Sequence, residues 1–274
     1  MRSHMAAPGV DMLARIASDR RRTIEQMMTR VPAHVLRPRL PATRPAGRLE
    51  RALRRGGREA PLRLMCEIKR ASPSRGMLRE SLDPVAIAKA YEAGGAAALS
   101  IVTEPAHFHG DLAWVDAVRP AVKLPILLKD FVTDSYQLLD AAVRGADAAL
   151  LIAALLSQVQ LQRLITEARL LGLDCLVEVH DEDELRVALR AGATLVGINN
   201  RDLRTLEVDP ETSLALIPKV PPLVTAVAES GIATPEDLAR LRATRCDAVL
   251  MGEVFMASED PAATLTRLQA AARG

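Results

Sequence analysis

Cys66-Glu67-Ile68-Lys69-Arg70-Ala71-Ser72-Pro73-Ser74-Arg75-Gly76 is an apolar run that ends in charge and passes directly into a small, polar loop bounded by Pro and Gly. Residues 62–68 are mostly apolar, which predicts a strand covered on both faces, as parallel strands are. Side chains alternate along a strand, so Glu67 and Lys69 share a face. An acid and a base projecting together from the carboxyl end of a buried strand are costly unless they pair or act. Taken alone, the two could equally be a structural ion pair closing a barrel layer. The rest of the chain decides between these readings.

Short apolar runs recur along the chain and end near Lys69, Val102, Lys129, Ile152, Glu178, Asn199, Glu229 and Gly252. The steps between them are 33, 27, 23, 26, 21, 30 and 23 residues, the size of one strand–helix unit. Helical patterns lie between the runs at 84–93, 135–144, 158–171, 181–190 and 261–272, and the first four stop at or near Gly94, Gly145, Gly172 and Gly192. Thr234-Pro235-Glu236-Asp237 supplies an N-cap, a Pro at the first helical position and acids in the first turn. Eight such units predict an α/β fold, a (β/α)8 TIM barrel, over 62–274. A doubly wound open sheet is the alternative, but no Gly-rich first turn supports it.

Upstream, apolar residues at Met12, Leu13, Ile16, Ile24, Met27 and Met28 predict a helix over 10–30. Pro32, Pro38, Pro41 and Pro45 then make a connector, and 49–53 suggests a second short helix, so 6–61 is expected to be an N-terminal helical extension. Met1-Arg2-Ser3-His4-Met5 reads as an expression scar. Residues 1–60 hold 14 Arg and no Lys against 5 acids, a charge of +9, so with +2 overall the remainder carries −7. This segment has no aromatic residue and its Arg residues alternate with apolar ones, so it predicts a solvated, partly helical face and no nucleic-acid partner. No apolar run approaches the roughly 20 residues of a membrane span, and no secretory signal is evident. Cys66, Cys175 and Cys246 sit in or beside predicted strands without metal-site spacing, consistent with reduced thiols in a cytoplasmic protein.

Chemistry in such barrels sits at the carboxyl ends of the strands. Those ends supply Glu67 and Lys69, Lys129, Glu178, Asn199 with Arg201, Glu229 with Ser230, and Gly231 and Gly252. The opposite ends, such as Leu124-Pro125, Ala193-Thr194 and Pro221-Pro222, are bland by comparison. Two lysines and three glutamates converging on one rim predict a catalytic pocket rather than packing. Gly231 and Gly252 follow the seventh and eighth strands, where barrels often hold phosphate through backbone N–H groups. His107 and His109 form an HxH pair on a loop with only Glu104 and Asp111 near in sequence, and they read as surface residues, not metal ligands. Neither a metal nor another cofactor is expected.

These motifs resemble the indole-3-glycerol-phosphate synthase family of tryptophan biosynthesis. The resemblance rests on Glu67-Ile68-Lys69-Arg70-Ala71-Ser72-Pro73-Ser74, Leu128-Lys129-Asp130-Phe131, Leu176-Val177-Glu178, Gly197-Ile198-Asn199-Asn200-Arg201-Asp202-Leu203 and Ala228-Glu229-Ser230-Gly231-Ile232. It implies a carboxy-lyase that closes the indole ring of 1-(2-carboxyphenylamino)-1-deoxyribulose 5-phosphate, with loss of CO2 and water. By that resemblance Lys129 is the general acid toward the ribulose carbonyl, and Glu178 and Lys69 share the later proton transfers. Glu67 and Asn199 position these groups, and Ser230 belongs with the same catalytic set. Ser72, Gly231, Gly252 and the Glu253 backbone would hold the phosphate, helped by Lys69, with Ser74, Arg201 and Glu229 completing the substrate contacts. Phe108, Phe131, Leu150 and Pro73 would form a slot for the anthranilate ring, and the 72–76 loop would close over the substrate.

The chain departs from the family in two places. Its first aromatic residue is Tyr91, so the N-terminal lid must use Met and Ile where relatives often place an aromatic ring, and Val254 replaces a residue that is usually small. A monomer is expected, with no second catalytic unit after the eighth strand. Two rivals remain at this stage: a phosphoribosylanthranilate isomerase, whose ring opening does not need two rim lysines, and a catalytically silent sugar-phosphate-binding barrel, expected to lack Lys129 or Glu178.

Overall fold

The computed structural model describes residues 11–42 and 45–273, so the scar expected at 1–5 lies outside the described residues. Eight parallel strands form the barrel: β1 (Arg63–Ile68), β2 (Ala98–Val102), β3 (Ile126–Lys129), β4 (Ala148–Ile152), β5 (Asp174–Val179), β6 (Leu195–Asn199), β7 (Thr225–Glu229) and β8 (Ala248–Met251). Each pairs with its successor, and β8 closes on β1 with Met251 opposite Cys66. The register sets Lys129 beside Val102, Glu178 beside Ile152, and Glu229 beside Asn199, so the charged residues share one rim.

The helices Pro84–Ala93, Ser135–Val143, Gln158–Leu170, Glu182–Arg190, Pro235–Arg242 and Pro261–Arg273 cover the outside. Their starts are chemically marked: Asp134, Ser157 and Thr234 each complete a capping box, and Asp181 accepts the Glu184 N–H at 2.8 Å. Two helices that the sequence pattern left unassigned, Ala113–Val118 and Glu211–Leu216, are only six residues long. Each runs into a 3-10 turn containing a proline, Pro120 or Pro218, whose ring cannot continue an α-helix.

Two apolar layers result. One lies between strands and helices. The other fills the barrel with Met65, Ala98, Leu127, Ala148, Leu150, Leu176, Leu195, Val227 and Leu250. Leu49 and Leu53, both fully buried, close its amino-terminal end. They come from the helix Arg48–Leu53, whose orphan N–H groups at Leu49 and Glu50 donate to Asp174 Oδ2 at 2.8 and 3.0 Å. The Gly47 N–H donates to the other carboxylate oxygen at 2.8 Å, and Gly47 turns at φ +76°. Asp147 accepts from Arg48, Arg119 and the Ile126 N–H, while Asp247 accepts the N–H groups of Arg55 and Ala226. This end of the barrel is thus less bland than the sequence reading had it: its acids are fastened to backbone amides and arginines.

The N-terminal extension begins with α1 (Met12–Arg30), capped by Asp11. Ile24 packs with Leu36, Tyr136 and Leu139, and the Tyr136 hydroxyl donates to the Val31 carbonyl at 2.9 Å. The Pro-bearing connector carries helical turns at Ala33–Leu36 and Arg37–Arg39. The expectation of a solvated Arg face holds for Arg15, Arg21, Arg22, Arg30, Arg37, Arg39, Arg51, Arg54 and Arg58, which are exposed, and needs correction at two positions. Arg20 and Arg55 are buried, and Arg55 reaches the carbonyls of Ala60, Arg242 and Cys246. Arg20 grips Asp130 with two hydrogen bonds, Nε to Oδ1 at 2.8 Å and Nη2 to Oδ2 at 2.6 Å. Thr103 Oγ1 and the Phe131 N–H satisfy the same carboxylate at 2.7 and 2.8 Å. Among the described residues no helix is long and apolar enough to cross a membrane.

Removing one partner of a buried ion pair leaves the other charge uncompensated. Arg20→Ala is therefore expected to destabilise the protein by about 3–5 kcal/mol in urea unfolding. A loss below about 1 kcal/mol, the range of a surface pair, would contradict the anchoring role given to this contact.

Candidate active site

A cavity of about 450 Å³ opens at the carboxyl-terminal end of the barrel. The seventeen residues singled out from the sequence all line it: Glu67, Lys69, Ser72, Pro73, Ser74, Phe108, Lys129, Phe131, Leu150, Glu178, Asn199, Arg201, Glu229, Ser230, Gly231, Gly252 and Glu253. Strand alternation and register bring their polar groups together at the cavity floor.

Lys129, the last residue of β3, is the centre of that floor. Its Nζ donates to Glu229 Oε2 at 2.6 Å and to Glu178 Oε2 at 3.2 Å. The second lysine, Lys69, lies 2.9 Å from Glu67 Oε1, and Ser100 Oγ donates to Glu67 Oε2 at 3.2 Å. Burial opposes the charge of Lys129, but Glu229, Glu178 and Glu67 outweigh it and hold the ammonium above the ordinary lysine range. Burial likewise opposes ionisation of Glu67 and Glu178. Lys69 and Lys129 overcome it for Glu67, and Lys129, His180 and the Asn199 amide do so for Glu178, so both carboxyls lie below the usual range. Glu229 differs. Burial and the neighbouring Glu178 charge prevail over Lys129 and push its carboxyl up to about 7.

The walls are apolar on one side. The Phe108 and Phe131 rings sit 5.9 Å apart, with Leu150, Ile152, Leu250 and Ile16 also lining the space. Ile16 comes from α1, so an aliphatic side chain stands over the pocket where the sequence lacks an aromatic one. Glu104 fixes the Phe108 loop by accepting the N–H groups of Ala106, His107 and Phe108 at 2.9, 2.7 and 3.0 Å. The reading of His107 as a surface residue is overturned: its Nε2 lies 2.9 Å from Asp19 Oδ2, and its side chain is mostly buried between that loop and α1. Among the described residues no group of three or more His, Cys, Asp or Glu could hold a metal ion.

The other side is polar and tightly turned. Ser230 and Gly231 leave β7 with φ of +64° and +70°, a sharp bend that is costly at a serine. Asn200 holds the bend, its Nδ2 donating to the Ser230 carbonyl at 2.9 Å while its Oδ1 accepts the Ser213 N–H at 2.9 Å. Arg201 spans from β6 to the β8 loop, donating to the Leu206 carbonyl at 3.1 Å and to Glu253 Oε1 at 2.9 Å. Glu253 also faces Arg75 at 3.5 Å and Lys69 at 3.9 Å. Ser72 Oγ accepts the Arg75 N–H at 3.3 Å inside a two-residue hairpin formed by Ala71–Ser72 and Gly76–Met77. Val254 lines the same wall.

Several contributors, and the second role of Gly252, were not identified from the sequence. A Cβ at Gly197 would overlap Glu229 Oε1, and one at Gly252 would come within 2.7 Å of Glu67 Oε1, so both glycines make room for carboxylates. The period-2 signal that placed Glu67 with Lys69 also places Gly197 with Asn199, and His180 with Glu178. Asn200 gave no such signal, because its partner Ser230 lies in the bend after the neighbouring strand.

Comparison with known proteins gives the family. The family model "Indole-3-glycerol phosphate synthase" matches residues 13–268. The "Indole-3-glycerol phosphate synthase 1" of Streptomyces coelicolor is 43% identical over 262 residues, covering 96% of each chain. A relative of the same description from Parafrankia sp. is 52% identical over 198 residues, covering 72% of this chain and 74% of its own. Among solved structures, the thiamine phosphate pyrophosphorylase of Pyrococcus furiosus superposes with a TM-score of 0.60 at 17% identity, over 77% of this chain and 95% of its own, which is a likeness of fold alone. With the rim residues in place and the match running almost end to end, the chain belongs to the indole-3-glycerol phosphate synthase family.

Proposed function

We propose that this cavity converts 1-(2-carboxyphenylamino)-1-deoxyribulose 5-phosphate to indole-3-glycerol phosphate. The observation that carries the proposal is the Lys129 ammonium, held charged between Glu178 and Glu229 beside an aromatic wall. Ring closure needs a proton delivered to the ribulose carbonyl while the anthranilate ring lies in an apolar slot. Lys129 is that acid, and Phe108, Phe131, Leu150 and Pro73 form the slot. Glu229 fixes the ammonium in place. Once CO2 has left, Glu178 and Lys69 serve the dehydration, one taking the proton and the other protonating the departing hydroxyl. Glu67 orients Lys69, and Asn199 orients Glu178 and the substrate's polar groups.

The phosphate belongs at the opposite wall, on the backbone of Gly231, Gly252 and Glu253 with Ser72 and Lys69. Ser74 and Arg75 lie in the loop that closes above it, and Arg201 braces Glu253, with Ser230 at the bend beside them. The phosphorylated substrate is the small-molecule partner. The active unit is a monomer, with 62–274 as its catalytic unit and 6–61 as its lid and plug. Its three free thiols, two of them buried, suit the cytoplasm.

Mixing the protein with this substrate should produce indole fluorescence without added metal, and no product would refute the activity. A well-placed general acid contributes roughly 10²–10⁴ in rate, so Lys129→Ala should lower kcat by at least about that factor while the fold, followed by circular dichroism, is kept. Unchanged turnover in that variant would remove Lys129 from the chemistry.

A second expectation follows from Glu229. Its folded value of about 7 lies above the ordinary carboxylate value, so the folded state holds the proton more tightly. The stability this confers is complete below the ordinary value and is lost as pH rises toward and through about 7. Glu229→Gln does not titrate. Its unfolding midpoint relative to wild type should therefore climb between about pH 5 and about pH 8, and a flat or falling difference would contradict the raised value.

A further inference from the structure

His180 follows β5 directly and shares the face of Glu178, two residues before it. Its Nε2 lies 3.5 Å from Glu178 Oε1, and neither atom makes a well-formed hydrogen bond elsewhere, although both are buried. The other ring nitrogen, Nδ1, lies 3.0 Å from Glu184 Oε2, which also accepts the His180 backbone N–H at 2.8 Å. Glu184 sits in the first turn of the helix Glu182–Arg190, and its second oxygen faces Arg204 at 3.6 Å. His180 and Glu184 both line a second cavity, about 640 Å³, which shares Asn199 and Leu203 with the first and is otherwise lined largely by residues 200–212. Glu184, His180, Glu178 and Lys129 thus form one chain of contacts of 3.0, 3.5 and 3.2 Å from that cavity to the active-site ammonium.

The stoichiometry of the reaction gives this chain a task. Ring closure places one proton on the carbonyl oxygen. The carboxylate then departs as CO2 and returns its bonding electrons to the ring. Dehydration places a second proton on the departing hydroxyl and removes one from the carbon beside the nitrogen. Two protons enter the substrate and one leaves it, so each turnover takes up one proton from solvent. Substrate fills the first cavity while this happens.

We propose that the missing proton enters from the second cavity through His180: the charged ring passes its Nε2 proton to Glu178 Oε1, keeps the Nδ1 proton against Glu184 as a neutral imidazole, and takes up one proton from solvent before the next turnover. Glu178 hands its proton on to Lys129, and only N–H and O–H bonds change. This inference rests on the activity proposed above. His180 acts through Glu178 and does not touch the substrate. The groups facing it are Glu178 and Glu184, with Glu229 farther off. Burial alone would favour the neutral ring, but these carboxylates raise its affinity for a proton, so a donor is present near neutral pH.

The test compares His180→Ala and His180→Gln with wild type, after wild type has been shown to make indole product. A wild type without product would refute the activity itself. Loss of the relay should lower kcat by roughly 10²-fold, the lower end of what a proton-transfer group contributes, with KM unchanged. Imidazole in the buffer should restore His180→Ala in proportion to its imidazolium fraction. Glutamine offers an N–H toward Glu178 but passes no proton, so His180→Gln should stay slow at the wild-type unfolding midpoint. A His180→Gln variant with wild-type kcat would overturn the relay. So would a slow His180→Ala that imidazole does not restore, since His180 would then only hold Glu178 in place.

Discussion

The Lys129 ammonium between Glu178 and Glu229 is the contact on which the architecture depends. Moving an ammonium from water into a protein interior costs several kcal/mol unless opposite charge and hydrogen bonds replace the water. Two carboxylates, from strands on either side of β6, do so here at 3.2 and 2.6 Å. They arrive from β5 and β7 because the barrel register sets Glu178 and Glu229 at the level of the rim, and because Gly197 between them leaves room for the Glu229 side chain. With Glu67 and Lys69 the cluster holds three carboxylates against two ammoniums. One negative charge is in excess, and it falls on Glu229, whose carboxyl is the one raised rather than lowered. The same electrostatics that make Lys129 a persistent cation make Glu229 a reluctant anion.

The two ends of the barrel use charge differently. At the amino-terminal end Asp147, Asp174 and Asp247 accept from backbone amides or arginines, and Leu49 and Leu53 seal the interior beneath them. Those contacts leave the acids no freedom to react. At the carboxyl-terminal end the carboxylates meet ammonium groups and face a cavity. Arg20 links the ends of this logic: by binding Asp130 it docks α1 one residue beyond Lys129, so the helix that places Ile16 over the pocket is anchored to the strand that carries the acid. Lid position and acid position are thereby one structural quantity.

Much of this was legible in the chain itself, for a physical reason. Barrel strands are short, buried on both faces and followed by capped helices, so apolar runs, N-caps and glycine stops mark every unit, and strand ends fall within one residue of the run ends. Buried charge at those ends is too costly to be incidental, which is why Glu67, Lys69, Lys129, Glu178 and Glu229 stood out. What stayed hidden depended on contacts between distant segments. Arg20 resembles any exposed helix arginine until Asp130, 110 residues later, is packed against it. His107 looked like a loop residue because its partner Asp19 belongs to α1. Asn200 and Gly197 act on Ser230 and Glu229 across a strand pair, and the role of a missing Cβ is visible only once the neighbouring side chain is in place.

The central claim is that Lys129 waits in the free enzyme as a charged proton donor. Nitrogen-15 NMR of the Lys129 side chain, assigned by comparison with Lys129→Ala and followed through a pH titration, measures this directly. The account predicts that Nζ remains an ammonium beyond the ordinary lysine value of about 10.4. Deprotonation at or below neutral pH would show that burial overcomes Glu178 and Glu229, and would make Lys129 a base in the resting site.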